Sequence, residues 1–365
     1  MEARGHIKHV FPGGNTCLGF YSFYDYILSQ DEAKKIIVLK GGPGVGKSNF
    51  MRKIGEDFLA LNYDVEFMHC SSDNNSLDGV VIPKIKVALI DGTAPHIVDP
   101  KNPGCVDEII HLGDFWEESG ISKYKNEILE TNREIGRTFN RAYKYLKSAK
   151  SIYDDNCVIL SQAIDYSKVN KKTQELIERV FDGLYINDKI GKIRHLFASA
   201  ITPEGLRNHI DSIIYNTKNV FILKGDHNTG KSSMLSKIID CAATKGLNIE
   251  AYHCAFNPEK IEHVLIPQLD TIFVTSNEYH NVYKTNGEEI IDLNEYVSEI
   301  EMKKYTTELS FNKNIFNELL NQAISTISNA KRLHDLLETY FIPNMNFQKV
   351  DQKRLETVER IKKYI

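Results

Sequence analysis

No stretch of this chain approaches the roughly 18 consecutive apolar residues of a membrane-spanning helix, so no helical membrane span is expected. The opening residues, Met1-Glu2-Ala3-Arg4-Gly5-His6, lack the apolar core of a secretory signal, and a soluble cytoplasmic protein is expected. Neither sign of charge dominates: 45 Lys and Arg stand against 49 Asp and Glu, a net charge of −4. Without a basic excess there is no global signal for a nucleic-acid partner, although a local patch can hide in such an average. The six cysteines, at 17, 70, 105, 157, 241 and 254, form no C-x-x-C pair, so neither a disulfide framework nor a zinc ribbon is indicated. The 365 residues leave room for two domains, each with its own core.

What is present is organised around one stretch. The apolar run Ile36-Ile37-Val38-Leu39-Lys40 empties into Gly41-Gly42-Pro43-Gly44-Val45-Gly46-Lys47-Ser48, with Asn49 next. Glycines let the backbone curl so that successive N–H groups point at an anion. Lys47 is then placed to reach terminal phosphates, and Ser48 opens a helix and offers its hydroxyl to Mg²⁺. Met51, Ile54 and Phe58 follow at helical spacing. The pattern recurs as Val220-Phe221-Ile222-Leu223-Lys224 and Gly225-Asp226-His227-Asn228-Thr229-Gly230-Lys231-Ser232, followed by Ser233, at an offset of 184 between the lysines.

The halves correspond over their length. Ile7-Lys8-His9-Val10-Phe11 matches Ile193-Arg194-His195-Leu196-Phe197, His69-Cys70 matches His253-Cys254, and Ile82-Pro83 matches Ile266-Pro267. Glu178-Arg179-Val180 matches Glu359-Arg360-Ile361 near the two ends. Two domains are therefore expected. Residues 1–183 comprise a sheet part to about 118 and a helical arm over 119–183; residues 184–365 comprise a sheet part to about 299 and an arm over 300–365. Each half reads as α/β. The expected order is strand, loop, helix, a second strand over 64–69, a short helix or loop, and a third strand Val87-Ala88-Leu89-Ile90 in a mainly parallel sheet flanked by helices. Beyond residue 119, Ile121, Tyr124, Ile128, Ile135, Phe139, Leu146 and Ile152 predict an amphipathic helix of about 35 residues. Leu309, Phe316, Leu320, Ile324 and Ile327 predict its counterpart, ended by Pro343. Either the arms cover the sheets or pack on each other, or they form a lever or partner-binding coiled coil. Each arm is expected to belong to its own half.

Several residues carry candidate chemistry. Asp91 ends the third strand where a P-loop protein places a magnesium-binding acid, although Asp91-Gly92 also suits a turn. The aligned residue in the second half is Thr275, with Glu278 near enough to substitute. Asp226 puts an anion into the second loop and weakens phosphate binding there unless its side chain turns outward. These asymmetries predict an active first site and a weaker or regulatory second one, against drift that leaves the second empty. His69-Cys70 and His253-Cys254 read as packing, phosphate or substrate contact, or metal ligation. His96, with Asp91 and Asp99, provides titratable groups for proton transfer. Arg133, Arg137 and Arg141 line one helix, either as a solvated face or as a charge-stabilising finger.

The residues at 41–48 look like the Walker A motif of P-loop NTPases, and those at 225–232 are a second match. With Asp-Gly-Thr-Ala-Pro-His at 91–96, the chain resembles a family of tandem-duplicated P-loop ATPases from Gram-positive bacteria. The resemblance implies ATP binding and hydrolysis, with Mg²⁺ as cofactor and Lys47, Asp91 and His96 as catalytic candidates. Ser48, Asp91 and Ser232 are the metal candidates. No Asn-Lys-x-Asp follows either loop, which favours ATP over GTP. Many P-loop ATPases carry Glu directly after the strand-ending Asp, where this chain has Gly92. An ATPase working on a protein partner through its arms, a kinase acting on a small metabolite or nucleotide, and a non-hydrolysing nucleotide-gated module all remain open.

Overall fold

The computed structural model describes residues 4–93, 97–215, 217–280, 282 and 288–365. The first half runs β1 (Ile7–Val10), a hairpin of β2 (Gly13–Thr16) and β3 (Gly19–Ser22), β4 (Lys35–Lys40), α1 (Lys47–Ala60) and β5 (Val65–His69). It continues through β6 (Leu77–Ile82), β7 (Val87–Asp91), β8 (Asp107–His111), α2 (Glu118–Ser122), α3 (Lys125–Ala163) and α4 (Tyr166–Val180). The second half runs β9 (Ile193–Phe197), β10 (Ser199–Thr202), β11 (Gly205–Asn208), α5 (Ile210–Ile214), β12 (Asn219–Lys224), α6 (Lys231–Thr244) and β13 (Ile249–His253). Then come β14 (Ile261–Ile266), β15 (Thr271–Ser276), β16 (Glu288–Asp292), α7 (Glu299–Lys303), α8 (Thr306–Phe341) and α9 (Phe347–Lys362).

Two six-stranded sheets result, ordered β1-β5-β6-β7-β4-β8 and β9-β13-β14-β15-β12-β16, so the strand order is the same in both. All pairings are parallel except those of β6 and β14, which run antiparallel to both neighbours. The stretch expected as a short helix or loop before the third strand is therefore largely a strand. Leu77-Asp78-Gly79-Val80-Val81-Ile82 is buried throughout, and a short stretch broken by an acid and a glycine shows neither direction nor partner by its spacing.

Alternation along each central strand sorts its side chains between two cores. On β4, Ile37 and Leu39 face α1, while Ile36 and Val38 join a core that also holds Val220 and Ile222 of β12. The two sheets thus pack face to face, with a helical layer outside each. At the sheet-to-sheet seam Phe11 and Phe197 exchange backbone hydrogen bonds of 2.9 and 3.0 Å. Beside them Lys8, Glu66, Arg194 and Glu250 form a buried quartet of alternating charge, with Lys8–Glu66 at 2.6 Å and Arg194–Glu66 at 2.7 Å. The guanidinium and ammonium hold Glu66 down at about 2 against the opposing pull of burial.

The arms lie antiparallel on one another: the Tyr124 and Tyr340 rings meet at a tilt, 4.9 Å between centroids, and the Tyr305 hydroxyl donates to Gln162 at 2.7 Å. Ala142, Leu146 and Ala149 of α3 meet Phe316, Leu320 and Ala323 of α8. At 39 residues, α3 is roughly 60 Å long, enough to cross from one half to the other. Each arm lies within its own half in sequence, yet its closing helix packs on the other half in space. Val169 and Leu176 of α4 pack into the core of the second sheet, and Val350, Val358 and Ile361 of α9 pack into that of the first. Each exchange is pinned at its turn. The Asp165 carboxylate caps α4 through the N–H groups of Ser167 and Lys168, while the Asp165 N–H donates to the Tyr296 carbonyl at 2.9 Å. Asn346 caps α9 through Lys349, and its own N–H donates to the Phe115 carbonyl at 2.9 Å.

Candidate functional site

Both glycine-rich loops leave a central strand at its carboxyl end and enter a 14-residue helix. In the first, Gly41, Gly44 and Gly46 hold φ of +151°, +69° and +91°; in the second, Gly225, Asn228 and Gly230 hold +157°, +60° and +92°. The two backbones therefore follow the same path, with Asn228 taking the left-handed position of Gly44. Asparagine is among the few side chains that tolerate it. Pro43 lies inside the first loop, and Val45 is fully buried and anchors its floor.

The Lys47 ammonium donates to the carbonyls of Gly41 and Gly42, each at 2.9 Å, and stands 3.7 Å from the Asp91 carboxylate. Burial raises the Asp91 pKa while Lys47 and the Thr93 N–H work against that shift. The Ser48 hydroxyl accepts from the Leu77 N–H at 2.9 Å, and Asn49 is exposed on the first turn of α1. His96 lies outside the described residues. Asp99 turns away to pair with Lys40 at 2.8 Å. The loop is roofed by the far end of the chain: a Cβ on Gly42 would come within 2.8 Å of Phe341, and one on Gly44 within 2.8 Å of Ile342 and 3.3 Å of Glu338.

In the second loop Lys231 donates to the carbonyls of Gly225, at 2.6 Å, and of Asp226. Burial lowers its pKa to about 8. Asp226 is exposed, its N–H held by Asn294 at 3.0 Å, so the carboxylate does not fill the loop. The Thr229 hydroxyl donates to the Asp226 carbonyl, and Ser232 accepts from the Ile261 N–H at 3.3 Å. Asn228 donates to the Cys157 carbonyl at 2.8 Å, so this loop is roofed by α3. His227 faces Tyr153 and Tyr279, and burial lowers its pKa to about 4. Ser233 is exposed on the first turn of α6. Glu278, the candidate substitute for the missing acid, pairs with Lys313 at 2.6 Å.

Two further buried acids, not singled out from the sequence, act electrostatically at the loop lysines. Asp78, the second residue of β6, is buried and pushed up to about 6, with hydrogen bonds from Tyr24 and Cys70 opposing the shift. Glu262, the second residue of β14, is held at about 2 despite burial, chiefly by His280 at 3.2 Å. Both stand at the same 184-residue offset as the lysines, a signal that was available in the sequence. From α8, Glu338 reaches the first loop with His334 at 3.6 Å, which only the exchange of arms reveals. His69 and His253 point into the seam between the sheets, where they meet His9 and His195 at 2.8 Å. Among the described residues no group of three His, Cys, Asp or Glu side chains is placed to hold a metal. Arg133 and Arg137 pair with Glu130 and Glu134 on the exposed face of α3.

Compared with known proteins, the chain matches no family model, no curated protein and no solved structure. No helix among the described residues is long and apolar enough to cross a membrane.

Proposed function

We propose that residues 41–48 form the phosphate-binding loop of an ATP-hydrolysing site, and that residues 225–232 form a second site of weaker or regulatory character. In this reading the chain is a duplicated P-loop NTPase divided near residue 183. The identical strand orders and the matching loop dihedrals support it. The observation that carries it is the convergence of Lys47, Ser48 and Asp91 at one loop, with the ammonium 3.7 Å from the carboxylate.

A polyphosphate fits the residues present. A Cβ on Gly41 would meet Val45 at 2.8 Å, so the tight loop requires glycine there, and the first turn of α1 has amides available for an anion. Lys47 exchanges loop carbonyls for phosphate oxygens, and Ser48 and Asp91 hold Mg²⁺, whose role is to offset phosphate charge. Thr275 at the position of Asp91 leaves the second site without that ligand, which supports its weaker role.

Gly92 supports a second reading. With no carboxylate after Asp91, transfer to a small-metabolite or nucleotide acceptor is the alternative to hydrolysis, and a nucleotide-gated module without turnover is the third. Phosphate release measured with ATP and Mg²⁺ on the wild type, Lys47→Ala, Lys231→Ala and Asp91→Asn separates them. Loss of turnover in Lys47→Ala and Asp91→Asn, with only a shift in Lys231→Ala, is expected. ATP binding without phosphate release in any form would move the assignment to a kinase or a gated module, and full turnover in Asp91→Asn would remove Asp91 from the site.

A further inference from the structure

A cavity of about 230 Å³ opens beside the second loop. Its floor is Lys231, Ser232 and Glu262; its walls come from the β10–β11 hairpin and from both arms, through Tyr153, Phe316 and Leu320. Two features ask for a ligand of a particular kind.

The first is charge. Among the described residues Lys231 bonds only to loop oxygens, and the Lys260 ammonium donates to the Tyr153 hydroxyl at 3.0 Å and to Cys157 Sγ at 3.7 Å and lies 4.7 Å over the Tyr153 ring. Neither lysine has a carboxylate partner among the described residues, while Glu262 is already matched by His280. Two ammonium groups without counter-charge in a partly enclosed space favour an anion. Ser199 and Thr275, each only 2% exposed and lining the same cavity, carry hydroxyls with no hydrogen-bond partner among the described residues. Unpaired buried hydroxyls cost free energy unless a ligand or water meets them.

The second is the apolar wall. Phe256 stands where the matching position of the first half is Ser72, and it packs edge-on against Phe316 at 5.1 Å between ring centroids. At roughly 10–15 Å³ of such space per water, the 230 Å³ cavity takes about 15 to 23 water-sized groups, enough for a compact phosphate ester and too few for a whole nucleoside triphosphate.

We propose that this cavity binds a compact phosphate monoester, its phosphate held by Lys231 and Lys260 and its apolar or aromatic body lying against Phe256 and Phe316. The placement of the phosphate rests on reading residues 225–232 as a phosphate-binding loop; the choice of a compact apolar body rests on the cavity alone.

Phenyl phosphate, inorganic phosphate and ATP serve as probes, titrated calorimetrically into the full chain carrying Lys47→Ala so that the first loop is silent. One phenyl phosphate per chain is expected, bound at least about tenfold more tightly than inorganic phosphate, the gain of burying one ring. Phe256→Ser, added to that background, brings phenyl phosphate back to the level of inorganic phosphate. Lys260→Met keeps the side-chain stem, removes the charge and weakens both probes about tenfold; it tests the site should Phe256→Ser unfold the chain. Phenyl phosphate binding no tighter than inorganic phosphate, or indifferent to Lys260→Met, overturns the cavity inference while leaving the loop reading intact. ATP binding here more tightly than phenyl phosphate also overturns it, in favour of a nucleotide. Failure of all three probes to bind, with Lys47 restored as well as without it, sinks the loop reading along with the inference.

Discussion

At the scale of single residues, the two loops show how one backbone path is reached with different chemistry. Gly44 adopts its left-handed conformation without penalty, and Asn228 reaches the same region while its side chain ties the second loop to α3. Asn228→Ala adds strain and removes the tie, so a loss of about 1–2 kcal/mol is expected by chemical denaturation. Asn228→Gly removes only the tie and costs less. Equal losses for the two substitutions would mean that the backbone conformation contributes nothing. The same scale separates the acids. Glu278, near in sequence, is taken by Lys313, whereas Asp78 and Glu262 act on the loop lysines from strands whose position the sequence reading had not assigned.

At the scale of elements, the exchange of α4 and α9 makes each sheet depend on the far end of the other half. Ile361 is 1% exposed in the core beneath α1. Ile361→Ala is expected to cost about 2–4 kcal/mol. Hydrogen exchange should then rise in α1 and β5 of the first half while α6 stays protected. Deprotection of α6 instead would place α9 on the second sheet and refute the exchange. A hinged lever swinging free of the sheets does not suit arms anchored at both ends. A protein partner, if the arms recruit one, has only their outward faces to read.

The whole molecule is joined through a seam rich in imidazole and buried charge. Burial lowers His69 to about 3 and His209, His227, His253 and His263 to about 4, whereas an unfolded chain titrates near 6.5. Between about pH 6.5 and 4 the unfolded chain therefore binds protons that the fold refuses. This contribution to stability is complete above pH 6.5 and declines as the pH falls. Asp78, raised to about 6, acts in the opposite sense, as do Asp91 and Glu338, raised by burial, and His280, raised by Glu262; the five strongly lowered imidazoles are expected to outweigh them. The denaturation midpoint is expected to be lower at pH 5 than at pH 7.5, and a midpoint that holds or rises on acidification would contradict the burial of these rings.

The sequence alone determined whatever is written in local spacing. The two loops, the strands that feed them and the long amphipathic arms are all legible, because glycine placement and periods of two or 3.6 residues act over a few neighbours. An apolar stripe, however, states that a face is buried without naming what buries it. Only the tertiary structure decided that β6 and β14 run antiparallel, that Val169 and Val350 cross to the opposite sheets, and that Glu338 stands over the first loop. Each of these is a contact between segments far apart in the chain, chosen by packing complementarity rather than by local conformational preference.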